Sequence, residues 1–120
     1  MSGAGGITTL VARDGEVTSM AVFGELDTFT GNDLVGVLLE QCLVHRPARV
    51  VVDLSAVSFC DGAGARALAQ MRELAARAGT EFAVTGARSP TLLRVLEIMG
   101  LDLLFRLDQD PTRHPGSASR

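Results

Sequence analysis

The chain of 120 residues contains no lysine; its 11 basic residues are all arginine. That removes the phosphate-cradling lysine of a P-loop, the amine of Schiff-base catalysis and the lysine that a kinase sets beside its phosphates. Cysteine is nearly as scarce. Cys42 and Cys60 make neither a disulfide framework nor a metal cluster, and each reads as a small core hydrophobe. His45 and His114 stand apart from the cysteines and from each other, so a zinc site is not expected. No window approaches the roughly 20 apolar residues of a membrane helix, so no membrane insertion is expected. The net charge is -3, whereas a nucleic-acid reader carries a basic face. Residues 1–6 have no basic region followed by an apolar core. They read as a flexible leader, and the cytoplasm is the expected location.

What remains is ordinary for one globular domain: 47% hydrophobic and 21% charged residues. Ile7 to Ala12 and Val17 to Phe23 are β-rich, and the Asp14-Gly15 pair between them signals a hairpin. Gly24-Glu25-Leu26-Asp27 ends the second strand, and Asp27, Thr28 and Thr30 offer side-chain oxygens for a helix start. Leu34, Val37, Leu38, Cys42 and Leu43 predict one apolar stripe on that helix, which His45-Arg46-Pro47 stops. Arg49 to Leu54 predicts a third, buried strand, since consecutive β-branched residues suit a pleat. An acidic loop then leads to a second helix over about 63–78, with Leu68, Met71, Leu74, Ala75 and Ala78 inward and Gly79 as left-handed terminator. Glu81 to Gly86 predicts a fourth strand. Ser89-Pro90 opens a third helix that Leu92, Leu93, Leu96 and Met99 carry to Gly100. Leu103-Leu104-Phe105 predicts a brief last strand, and residues 108–120 read as a disordered tail. The order β-β-α-β-α-β-α-β describes an α/β fold: a mixed sheet with an N-terminal antiparallel hairpin, then parallel strands, covered by three main helices. The order of the strands in the sheet does not follow.

Few residues could carry chemistry. Asp53 and Asp61, taken as a carboxylate pair at strand ends, could hold magnesium or accept a phosphoryl group, but that needs further acids and a lysine. A capping role for Asp61 and backbone satisfaction for Asp53 are the simpler reading. Gly62-Ala63-Gly64 lacks the third glycine and the distal acid of a dinucleotide fingerprint, although Ala67 stands where some variants allow alanine. The small residues suit a close approach of backbone to sheet or partner. Ser58 precedes Asp61, with no histidine placed near it. No catalytic constellation emerges, so an enzyme is not expected.

Two motifs together carry a resemblance. Gly24-Glu25-Leu26-Asp27 ends a second strand, and Val51-Val52-Asp53-Leu54-Ser55-Ala56-Val57-Ser58-Phe59 precedes Asp61 and Gly64. This pattern resembles the STAS domain, and within it the bacterial anti-sigma factor antagonists, over residues 7–107. The resemblance implies a partner-switching regulator of sigma-factor-dependent transcription, without a cofactor. Its partners would be an anti-sigma factor and a serine kinase of the GHKL type, and a dimer is compatible with it. The implied contact surface is Asp61, Gly62, Ala63, Gly64 and Arg66 with Asp27 and Thr28 beside them. In the family, the residue after the motif's aspartate is usually the serine or threonine that the kinase phosphorylates. Gly62 stands there instead, followed by Ala63, so no phosphorylation is expected at that position. Ser55 and Ser58 lie before Asp61 and are expected to face elsewhere.

A second reading is a ligand-sensing or scaffold STAS domain, such as an accessory subunit of a transporter or signalling assembly. Its support is the amide-rich helix start at 61–64, which could bind an anion. The absence of lysine and of an aromatic clamp argues against it, with Phe59 read as core.

Overall fold

The structure, a computed structural model, describes residues 6–98 and residue 100. The described residues form four strands and three helices in the order β1 (Ile7–Asp14), β2 (Val17–Leu26), α1 (Thr28–His45), β3 (Arg49–Cys60), α2 (Gly62–Arg77), β4 (Glu81–Thr85) and α3 (Pro90–Ile98). The expected last strand at 103–105, the leader to residue 5 and the tail lie outside the described residues.

Strand order in the sheet is β1-β2-β3-β4. β1 pairs antiparallel with β2, from Ile7 opposite Gly24 to Asp14 opposite Val17. The hairpin loop is thus Gly15-Glu16, one residue later than the Asp-Gly pair suggests. Gly15 takes φ +64° and Glu16 does not have positive φ, the pattern of a turn that needs glycine at its first central position. β2–β3 and β3–β4 are parallel. Each crossover steps to the next strand in the same direction, so right-handed connections put α1 and α2 on one face.

That face holds the core. Met20, Val22 and Leu26 of β2 and Val50, Val52 and Leu54 of β3 alternate inward. Leu34, Leu38 and Cys42 of α1, Leu68 and Met71 of α2, and Leu92 and Leu96 of α3 join the same buried cluster. The opposite face of β1 and β2 exposes Leu10, Val17 and Phe23. Both cysteines are buried and free. Burial first, and the nearby Asp61 charge second, push the Cys60 thiol up to about 12, and burial also raises Cys42.

Four expectations are corrected. β3 does not end at Leu54 in an acidic loop; it runs to Cys60. Two register shifts against β2 explain why: Ala21 faces Asp53 but Phe23 faces Ala56, and Gly24 faces Val57 but Glu25 faces Phe59. The extra residues are bulged out, so burial falls on Leu54, Val57 and Cys60 and the alternation of a strand disappears from the sequence. Leu43 is not on the inward stripe of α1 but 68% exposed, and Ala78 is an exposed C-cap. Phe59 is not core but 43% exposed, because the second shift turns it outward. The helix stops match expectation: Arg46 closes α1 in the left-handed region and Gly79 has φ +77°.

Candidate functional site

The site begins where β2 and β3 end side by side. Leu26 and Cys60 are register partners, and the Asp61 amide donates to the Leu26 carbonyl at 3.2 Å. The next residue on each chain segment caps a helix, so the N-termini of α1 and α2 emerge together at one edge of the sheet. Asp27 and Thr28 therefore lie at the same edge as the start of α2.

Both caps are built from the expected residues. Asp27 Oδ1 accepts from the Phe29 and Thr30 amides, each at 3.0 Å. Thr30 Oγ1 accepts from the Asp27 amide at 2.8 Å, closing a capping box. The same hydroxyl donates to the Glu25 carbonyl at 2.6 Å, tying the helix start back to β2. Asp61 Oδ1 accepts from the Gly64 amide at 2.8 Å. Asp61 thus caps α2, and Asp53 accepts from the Ser55 amide at 2.9 Å. The two carboxylates are not brought together, since the strand continues between them. Among the described residues no group of His, Cys, Asp and Glu could hold a metal ion.

The glycines of the site do different work. A Cβ on Gly64 would overlap the Leu26 carbonyl oxygen and sit 2.7 Å from its carbon, so this buried position admits only hydrogen. A Cβ on Gly31 would be 2.8 Å from the Ala67 Cβ, so α1 and α2 also meet through small residues. Gly62 is different. Its φ is not in the left-handed region, and a Cβ there would meet only Arg66 Nη1, at 4.0 Å. Neither backbone nor packing demands glycine at the first residue of α2. Gly62 and Ala63 are half-buried, while Thr28 and Arg66 are exposed.

Ser55 and Ser58 lie on β3, before the helix start, and Ser58 Oγ donates to the Gly24 carbonyl at 3.3 Å. Sequence reasoning missed Phe29, which is 80% exposed one residue after Thr28. The signal was available: on a wheel of about 100° per residue it lies opposite Leu34 and Leu38.

Hydrogen bonds from the Thr30 amide first, and from the Thr30 hydroxyl and Phe29 amide, hold the Asp27 carboxyl below its ordinary value of 3.8 against an opposing desolvation effect. A carboxyl depressed on folding stabilises the fold above its unfolded value, and that stabilisation is lost as pH falls through the folded one. Asp27→Asn is therefore expected to flatten the loss of thermal stability below about pH 4, relative to the parent. Melting temperatures across pH 2–7 that run parallel for both proteins would contradict this.

Residues 9–113 match the family model of the STAS domain. The chain is 35% identical over 107 residues to an anti-sigma-F factor antagonist, RsfB, from Mycobacterium tuberculosis, covering 89% of this chain and 85% of that protein. It superposes with a TM-score of 0.79 on the crystal structure of an anti-sigma factor antagonist from Mycobacterium paratuberculosis, at 33% identity and with 92% of each chain covered. A sulfate transporter family protein from Wolinella succinogenes shares the fold at a TM-score of 0.73, with 20% identity and coverage of 90% of this chain and 88% of that one.

Proposed function

We infer that this chain, which belongs to the STAS domain family, is an anti-sigma factor antagonist that docks through the paired starts of α1 and α2. The observation that carries this is the joining of Leu26 to Asp61, which sets both capped helix starts on one edge. The relatives at 33–35% identity support the antagonist role, while the transporter-family likeness supports the fold alone. Asp27, Thr28, Gly62, Ala63 and Arg66 would form the reachable part of the contact, with Asp61 and Gly64 shaping it. The partner would be an anti-sigma factor with GHKL-type kinase character. The protein would act in the cytoplasm, by binding and without catalysis of its own. Among the described residues no helix is long and apolar enough to cross a membrane.

In this reading the contact has no phosphate lock. A serine at Gly62 would carry a phosphate of about -2 charge into the interface, and glycine has no hydroxyl to receive it. Binding would then be set by abundance and affinity alone. Calorimetry with a cognate anti-sigma factor tests this, before and after incubation of the antagonist with that factor and ATP. The same affinity is expected in both titrations. No binding at all would remove the antagonist reading; loss of binding after ATP, with phosphate located on Ser55 or Ser58, would keep the partner and remove the absence of a lock.

A further inference from the structure

α1 is apolar on two opposite sides. Leu34, Leu38 and Cys42 are buried against the sheet and α2. At about 100° per residue, the line diametrically opposite carries Phe29, Gly36 and Leu43 at heptad spacing. Phe29 and Leu43 are 80% and 68% exposed, and a Cβ on Gly36 would meet nothing within 4 Å. An amphipathic surface helix normally presents polar residues along such a line. Here two large side chains stand about 21 Å apart along the helix, with bare backbone midway between them. That is a saddle in which another helix can lie close at Gly36 while its side chains pack against Phe29 and Leu43.

Charge selects the occupant. The charged side chains of α1 besides His45 in its last turn are Asp33 and Glu40. Both are exposed and lie on the flank of this line, next to the 66% exposed Val44. A second copy packed antiparallel about Gly36 would set Asp33 of one chain beside Glu40 of the other, twice, and like charges at close range oppose that pairing. We propose that the outer face of α1, centred on Gly36 between Phe29 and Leu43, docks an amphipathic helix of a partner protein whose apolar stripe is flanked by arginine or lysine. The antagonist reading does not require this surface, which touches the shared edge only at Phe29 and has its centre, Gly36, and its far end, Leu43, further along α1.

The probes are two synthetic 21-residue helical peptides with the same leucine stripe, one with lysine and one with glutamate at the flanking positions. They are titrated into the full chain labelled with 15N, and into Gly36→Leu and Leu43→Ser. Gly36 faces open space, so leucine there keeps the fold and improves helix propensity; circular dichroism and the melting temperature confirm it. The lysine peptide is expected to shift amides of α1 around Gly36 and to bind at least tenfold more weakly to both variants, while the glutamate peptide does not bind. Equal binding of the two peptides, shifts confined to other elements, no binding, or a Gly36→Leu affinity equal to that of the parent would each overturn the proposal. So would sedimentation showing a dimer of the parent that Gly36→Leu dissolves, which assigns the face to a second copy. Calorimetry of Gly36→Leu with an anti-sigma factor separates the two readings: it tests the α2 edge, whatever the peptides do.

Discussion

Gly64→Val is expected to destabilise the protein by about 3 kcal/mol, the upper part of the range for overpacking a filled core. The loss would lower the melting temperature by roughly 10–20 °C for a domain of this size. A Cβ at this position overlaps the Leu26 carbonyl oxygen and lies 3.1 Å from Leu26 Cγ. The obstacle is backbone, and the Asp61 amide is hydrogen-bonded to that same carbonyl at 3.2 Å. The helix start cannot retreat without breaking the bond that joins β2 to β3 at the site. Gly36→Ala is the matched control. Its Cβ enters open space, so the usual helix preference for alanine should stabilise by about 0.8–1 kcal/mol. Chemical denaturation of both variants checks the opposite signs. A Gly64→Val protein as stable as its parent would mean that α2 does not lean on Leu26 as described.

Gly62→Asp is expected to weaken binding to an anti-sigma factor by about 2–4 kcal/mol, roughly thirty- to a thousand-fold, while leaving the fold intact. The nearest atom to a side chain at Gly62 is Arg66 Nη1 at 4.0 Å, so aspartate fits. A carboxylate at the first residue of a helix also agrees with its dipole. The cost therefore falls on the interface, where a new charge must lose water against the partner. Gly62→Ser should bind like the parent until ATP and the kinase partner are added, and then lose affinity as the new hydroxyl takes a phosphate. Calorimetry beside a thermal melt separates interface from fold. Unchanged affinity of Gly62→Asp would take position 62 out of the contact surface.

Much of the architecture was legible because local rules agreed with it. The β-rich run of β2, the capping oxygens of Asp27 and Asp61, the glycine after α2 and the Ser89-Pro90 start each act over a few residues, and each is found where expected. The two misread side chains have separate causes, and neither is local to the sequence. Composition and spacing point Phe59 and Leu43 inward, but register bulges turn Phe59 outward. The geometry of α1, whose centre of burial lies at Leu34 and Leu38, turns Leu43 out. A bulge belongs to a pair of strands and cannot be seen in either one alone.

The sequence by itself determined that this is a lysine-free α/β domain of the STAS kind, and that its helix after Asp61 begins with glycine, at the position where the resemblance implies a hydroxyl. Those facts depend on residue identity and near neighbours. Only the tertiary structure decided that Gly64 is obligatory while Gly62 is sterically optional, because the first faces the Leu26 backbone and the second faces solvent and Arg66. It also decided that α1 shows an apolar line to the outside, since which side of a helix is buried is set by the sheet and helix packed against it.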